Sequence, residues 1–155
     1  MIEVTTDTVA FDSSLQQLQK RLGNLRPVFQ DLGAVLENKI RDRRETLKDP
    51  DGARWSDWAP STIATYPADG RRKLLDRTGA MWDRTGPQWK VQGAGPAMVL
   101  RVGFDKAYAT YHEFGTDNMP RRGLLFADPK SGTLGAQDVQ AITDVLDDWL
   151  SGALT

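Results

Sequence analysis

Apolar residues recur at helical spacing in several stretches of this chain and alternate with polar ones in others. The longest helical pattern starts at Pro27. It places Val28, Phe29, Leu32, Val35, Leu36, Ile40 and Leu47 on one side and ends at the Asp49-Pro50-Asp51-Gly52 turn. Pro27 suits a first helical turn, so the spacing predicts an amphipathic helix of about five turns that covers one face of a sheet. Leu15, Leu18 and Leu22 form a shorter helical segment before it, with Asp12-Ser13-Ser14 as candidate N-caps and Gly23-Asn24 as the break. A last helix starts near Ala136 and carries Val139, Ile142, Val145, Leu146, Trp149 and Leu150 on one stripe. Residues 74–84 also read as helical, through Leu75, Met81 and Trp82.

Strand patterns are shorter. Residues 89–92 and 97–103 flank Gly93-Ala94-Gly95-Pro96 and predict a hairpin, with Met98, Leu100 and Val102 on one face and Val99 and Arg101 on the other. Ile2-Glu3-Val4-Thr5 and residues 123–127 are further strand candidates. The pattern as a whole predicts one α+β domain over residues 1–155. A long N-terminal helix and a C-terminal helix pack on a small, mainly antiparallel sheet, and a long loop projects over about residues 48–74. That loop carries Trp55, Trp58 and the basic run Arg71-Arg72-Lys73. A loop of this length is functional or disordered. Its tryptophans are candidates for self-packing or for anchoring a partner, and its cations are candidates for nucleic-acid contact or ordinary surface.

The densest chemistry lies in residues 108–122. Tyr108, Tyr111 and Phe114 stand three apart and would line one face of a helical turn, with His112 and Glu113 pointing away from it. Gly115 reads as the stop of that turn, and Pro120 keeps the helix from resuming. His112, Glu113, Arg121 and Arg122 either fix the turn through hydrogen bonds or bond to an adjacent subunit.

This run, Tyr108-Ala109-Thr110-Tyr111-His112-Glu113-Phe114-Gly115-Thr116 followed by Met119-Pro120-Arg121-Arg122, resembles the signature of the phage virion morphogenesis family, YA-x-x-H-x-F-G-T…(I/M)-P-x-R. Gly52-Ala53-Arg54-Trp55 with Ala59-Pro60-Ser61-Thr62, and Leu74-Leu75-Asp76-Arg77-Thr78-Gly79-Ala80-Met81, resemble two further blocks of that family in the same order. The three blocks cover about half of the chain. Met81 stands where the family has leucine. After Arg121 the chain reads Arg122-Gly123-Leu124-Leu125-Phe126 where the family places arginine, proline and phenylalanine together, so the loop there is expected to pack differently.

The resemblance implies a structural protein that completes the tail of Mu-like or P2-like contractile-tailed phages and joins it to the head. It would act as a homo-oligomeric, six-fold ring at the tail–neck junction, touching the tail tube or neck-connector proteins. Such a protein is expected in the virion after assembly in the bacterial cytoplasm. Trp55, Trp58, Arg71, Arg72, Lys73, Tyr108, Tyr111, His112, Glu113, Phe114, Arg121 and Arg122 are the interface candidates. The alternative is a DNA-contacting neck or packaging accessory protein that uses the basic run and the cations of the long helix.

Composition narrows the chemistry. The chain has 155 residues, a formal charge of −1, one histidine and no cysteine. Without cysteine there are no disulfides and no thiol nucleophile, and a lone histidine makes a zinc site improbable. No nucleophile-elbow motif accompanies His112, and Gly93-Ala94-Gly95 precedes a strand, which is the wrong setting for a phosphate loop. The expectation is therefore no catalytic residue, metal or cofactor. No apolar run reaches the length of a membrane span, and the N-terminus does not read as a signal peptide. Charge is unevenly spread. Residues 39–48 hold five cations and two anions, whereas residues 136–155 hold four aspartates and no cation. The asymmetry marks two solvated helix faces or the two halves of a head-to-tail contact.

Overall fold

The structure, a computed structural model, describes residues 8–66, 73–82 and 86–152. Its spine is the long helix, α2 (Arg26–Thr46), preceded by α1 (Thr8–Leu22). α1 begins before Asp12-Ser13-Ser14, so these residues lie inside the helix and are not its caps. Pro27 sits in the first turn of α2, as its fixed φ favours. Leu47 closes α2 in the left-handed conformation, φ 55°, a position glycine more often holds. Its side chain packs against the core.

The hairpin follows the alternating pattern. β1 (Gln88–Gln92) pairs antiparallel with β2 (Val99–Gly103), with Trp89 opposite Val102 and Val91 opposite Leu100. These four side chains face inward; Lys90, Val99 and Arg101 face out. A two-stranded sheet needs packing on one face to be stable, and α2 supplies it. Gly33 permits the approach, because a methyl at this position would overlap the Trp89 indole.

The last helix, α5 (Ala136–Ser151), starts where its pattern does and packs on α2. Arg43 of α2 and Asp138 of α5, both buried, form an ion pair that fastens the two helices, and Arg43 also donates to the Leu124 carbonyl. Part of the charge asymmetry is thus satisfied inside one subunit. The α+β arrangement of helices, small antiparallel sheet and central loop region is therefore the one the pattern predicts.

Three expectations differ. Residues 74–82 are turns and bends rather than a helix, because Leu75 (φ 61°) and Gly79 (φ 75°) are left-handed. Residues 123–127 are not a strand, because the N–H groups of Leu124, Leu125 and Phe126 bond to a side chain instead of a neighbouring strand. The described part of the central loop is structured: Lys48 bridges Arg54, and α3 (Pro60–Thr65) follows. Residues 2–5, 67–72 and 83–85 lie outside the described residues.

The core sits between α2 and these irregular segments. Ile40, Trp55, Leu74, Met81, Trp82, Ala109 and Leu124 form its buried cluster. Trp82 meets Phe104 edge-on at 5.4 Å, and its indole N–H donates to the Leu75 carbonyl at 2.9 Å. Arg44 lies over the same indole while pairing with Asp76.

Candidate functional site

α4 (Ala109–Phe114) is one short helix with two unlike faces. It stops at Gly115, whose φ of 74° and whose approach to the Arg121 backbone both disfavour a side chain. Thr116 and Met119 then exchange backbone bonds of 2.9 and 3.1 Å, and the chain turns back so that Arg122 N–H donates to the His112 carbonyl at 2.8 Å.

On the inner face, Glu113 is 4% exposed and acts as a backbone acceptor. Its Oε2 accepts from Leu124 at 2.7 Å and Leu125 at 2.8 Å, and its Oε1 from Phe126 at 3.1 Å. Three N–H groups that a third strand would have satisfied are satisfied by one carboxylate. The buried charge is balanced by Arg121, whose Nη2 lies 3.3 Å from Oε1. Arg121 also donates to the carbonyls of Glu113 and Phe126 and lies 3.9 Å from Asp49. Buried Arg122 reaches the central loop, where it donates to the carbonyls of Ser56 and Asp57 at 2.9 Å each. Trp55 adds an indole bond of 3.2 Å to the Gly123 carbonyl.

On the outer face, Tyr108, Tyr111 and Phe114 are 39%, 59% and 52% exposed. Aromatic rings are the side chains that gain most from burial against a partner. Between α4 and the central loop runs a cleft of about 440 Å³. Trp58, Thr62 and Tyr66 line one wall, residues 75–81 another, and Tyr108, His112, Met119 and Arg122 the third. The three sequence blocks thus meet around one cleft. Trp58 stacks on Tyr66 with ring centroids 4.5 Å apart. Nδ1 of His112 is buried without a hydrogen-bond partner among the described residues. Burial, then the nearby Arg122 charge, holds its pKa below the usual 6.5, so the imidazole is neutral at neutral pH. Burial likewise lowers the pKa of Arg122, partly opposed by Asp57.

The interface candidates therefore divide. Tyr111 and Phe114 are displayed to solvent, and Trp58, His112 and half-exposed Tyr108 line the cleft; His112 does not point away from Tyr108, whose ring it meets edge-on at 6.5 Å. Trp55, Glu113 and Arg122 are buried inside the subunit, and Arg121 finds its carboxylates, Glu113 and Asp49, in its own chain. Their polar atoms fix the turn. Lys73 is exposed and pairs with Glu45 at 3.2 Å, whereas Arg71 and Arg72 lie outside the described residues. Arg43, Asp138 and the carbonyls of Ser56 and Asp57 were not singled out by the pattern. Only the opposed charge of the two helices hinted at the first pair, and nothing local marks a carbonyl as a docking point. No group of three or more potential metal ligands occurs among the described residues, and none of the described helices is long and apolar enough to cross a membrane.

A short helix with exposed aromatic residues is thus fastened from behind by a buried carboxylate. The chain matches the phage virion morphogenesis family over residues 6–151 and belongs to that family. Its role is in the building of the phage particle. No curated protein and no solved structure matches the chain.

Proposed function

We propose that this chain completes the phage tail and joins it to the head, as a homo-oligomeric, six-fold ring at the tail–neck junction of a contractile-tailed phage. Family membership along almost the whole chain carries the reading. The exposed face of α4 supports it, since Tyr108, Tyr111 and Phe114 offer apolar area to the tail tube or a neck-connector protein. Full burial of such a side chain contributes roughly 1.5–3 kcal/mol, and these residues have about half of that area left to bury. A ring seated on the end of the tail stops further polymerisation and presents its other surface to the head. Head-to-tail contacts between unlike surfaces close into rings when the rotation fits.

Electron microscopy of a lysate from phage lacking this chain tests the proposal. Full heads beside overlong or abnormal tails are expected. Normal tails with unattached or leaking heads would restrict the role to the neck. Empty heads would favour a packaging role at the DNA, and intact infectious virions would overturn the assembly reading.

A further inference from the structure

The cations at the end of α2 find carboxylates within the chain: Arg41 pairs with Glu37, Arg43 with Asp138 and Arg44 with Asp76. Two other elements carry charge that the fold leaves open. On α5, Asp144, Asp147 and Asp148 are exposed and stand three and four positions apart, so they share the outer side of the helix. Like charges at this spacing repel, and none of the three forms an ion pair among the described residues. Arg21 reaches the end of the helix, but it donates to the Trp149 carbonyl at 2.7 Å.

The outer face of the hairpin has the opposite sign. Lys90 and Arg101 are exposed and stand directly across from each other in the ladder. Like charges so placed destabilise a strand pair, and neither has a carboxylate partner among the described residues. Asp105, just beyond β2, pairs with neither. Gln92, on the same face, accepts from Arg101 Nε at 2.9 Å. This bond holds the guanidinium and leaves its two Nη groups without a partner among the described residues, a fork that suits two-point bonding to a carboxylate. Asp144 is held in a similar way, since Gln140 donates to its Oδ1 at 2.8 Å.

The spacings agree. Cross-strand neighbours lie about 4.5–5.5 Å apart between Cβ atoms, and helix neighbours one turn apart about 5–6 Å. Hairpin and α5 both pack on α2 and turn these faces away from it, and the two faces do not pair within one chain. A polyanion such as DNA would account for the hairpin and leave the aspartates unpartnered. A second copy of the chain accounts for both.

We propose that the Lys90–Arg101 face of the hairpin docks on the Asp144, Asp147 and Asp148 face of α5 in a second copy of this chain. The contact rests on the ring proposed above and supplies its seam. Each subunit offers one face of each sign, so the contact is head-to-tail, and every face is used only when the ring closes. Opposite charges across such a contact fix its register and exclude wrong partners.

Charge reversal tests the seam at exposed positions, away from the core. Full-length chain with Lys90→Glu and Arg101→Glu, full-length chain with Asp144→Lys and Asp147→Lys, and a mixture of the two are compared with the unaltered chain by native mass spectrometry. Each variant alone should associate about a hundredfold more weakly, the scale of a like-charge contact. The mixture should reassemble with the two kinds alternating, because each then meets a face of opposite sign. If the unaltered chain is multimeric and either variant alone keeps its mass, the ring stands and this seam is wrong. Variants that both dissociate but do not reassemble when mixed also overturn it, as the two faces then do not meet each other. Loss of binding to a short DNA duplex by the hairpin variant, with its multimer intact, would assign the hairpin to nucleic acid instead. An unaltered chain that stays monomeric at every concentration overturns the ring and the seam together.

Discussion

The hairpin is joined to α2 by apolar surfaces: the Trp89 indole lies against Gly33, and inward residues of the hairpin pack on the helix. In the irregular segments around residues 48–59 and 115–127 charged side chains work beside the apolar core. There Glu113 holds the N–H groups of residues 124–126, Arg121 and Arg122 hold carbonyls, and Arg43 reaches in from α2 to a further carbonyl. Regular elements satisfy their own backbone, so side chains are free to make a core. Irregular segments do not, and each buried N–H or C=O needs an individual partner. These segments are therefore fastened by charged residues as well as by the apolar cluster, because their backbone forms no regular element. The comparison also explains why α4 can leave aromatic residues in solvent: its position does not depend on them.

The sharpest way to break the polar half is Glu113→Ala. It leaves three backbone N–H groups without their acceptor and Arg121 without its nearer carboxylate, and removal of one partner of a buried charge costs about 3–5 kcal/mol. Denaturant titration should show a loss of that size, and a loss below about 1 kcal/mol would remove Glu113 from its central place. The matching test in the apolar half is Gly33→Leu, which forces a side chain into the Trp89 ring. Overpacking costs about 1–3 kcal/mol, to be read as a lower Tm.

A smaller effect is expected from His112. Its pKa in the folded chain is depressed by burial and by Arg122, so the unfolded chain binds the proton first as pH falls. Stability is unaffected above the unfolded value of about 6.5 and declines as pH drops through and below it. His112→Gln should therefore flatten the fall in Tm between about pH 7.5 and 5, and equal slopes for both proteins would contradict the assignment. The smallest change in stability is expected from Tyr111→Ser combined with Phe114→Ser. Exposed substitutions of this kind shift stability by about 0.5 kcal/mol or less, while phage yield from the variant should collapse. A normal yield would separate the aromatic face from assembly.

The two halves also differ in how far they were legible in the sequence. α2, α5 and the hairpin each bury one face, and that burial writes a period of 3.6 or 2 into the chain. Residues 74–82 and 123–127 have no such period to write. Leu75 and Gly79 take left-handed conformations, and the strand-like run Leu124-Leu125-Phe126 finds its acceptor in Glu113, eleven to thirteen positions back. The signature marked Glu113, Arg121 and Arg122 as important, but not which of them face inward. Of the two readings open for Trp55, self-packing and anchoring, the structure has the first: it is core, and its indole N–H donates to the Gly123 carbonyl.

The carboxylate of Glu113 has a consequence for the order of folding. Its partners lie within 13 positions along the chain, whereas those of Arg122 lie 65 and 66 away and that of Arg43 lies 81 away. Closing a short loop costs less entropy than closing a long one, and local contacts form sooner. The turn around α4 is thus expected to close first and to serve as the nucleus on which the central loop and the long helix dock. The aromatic face of α4 would then be among the earliest parts of the chain to take shape.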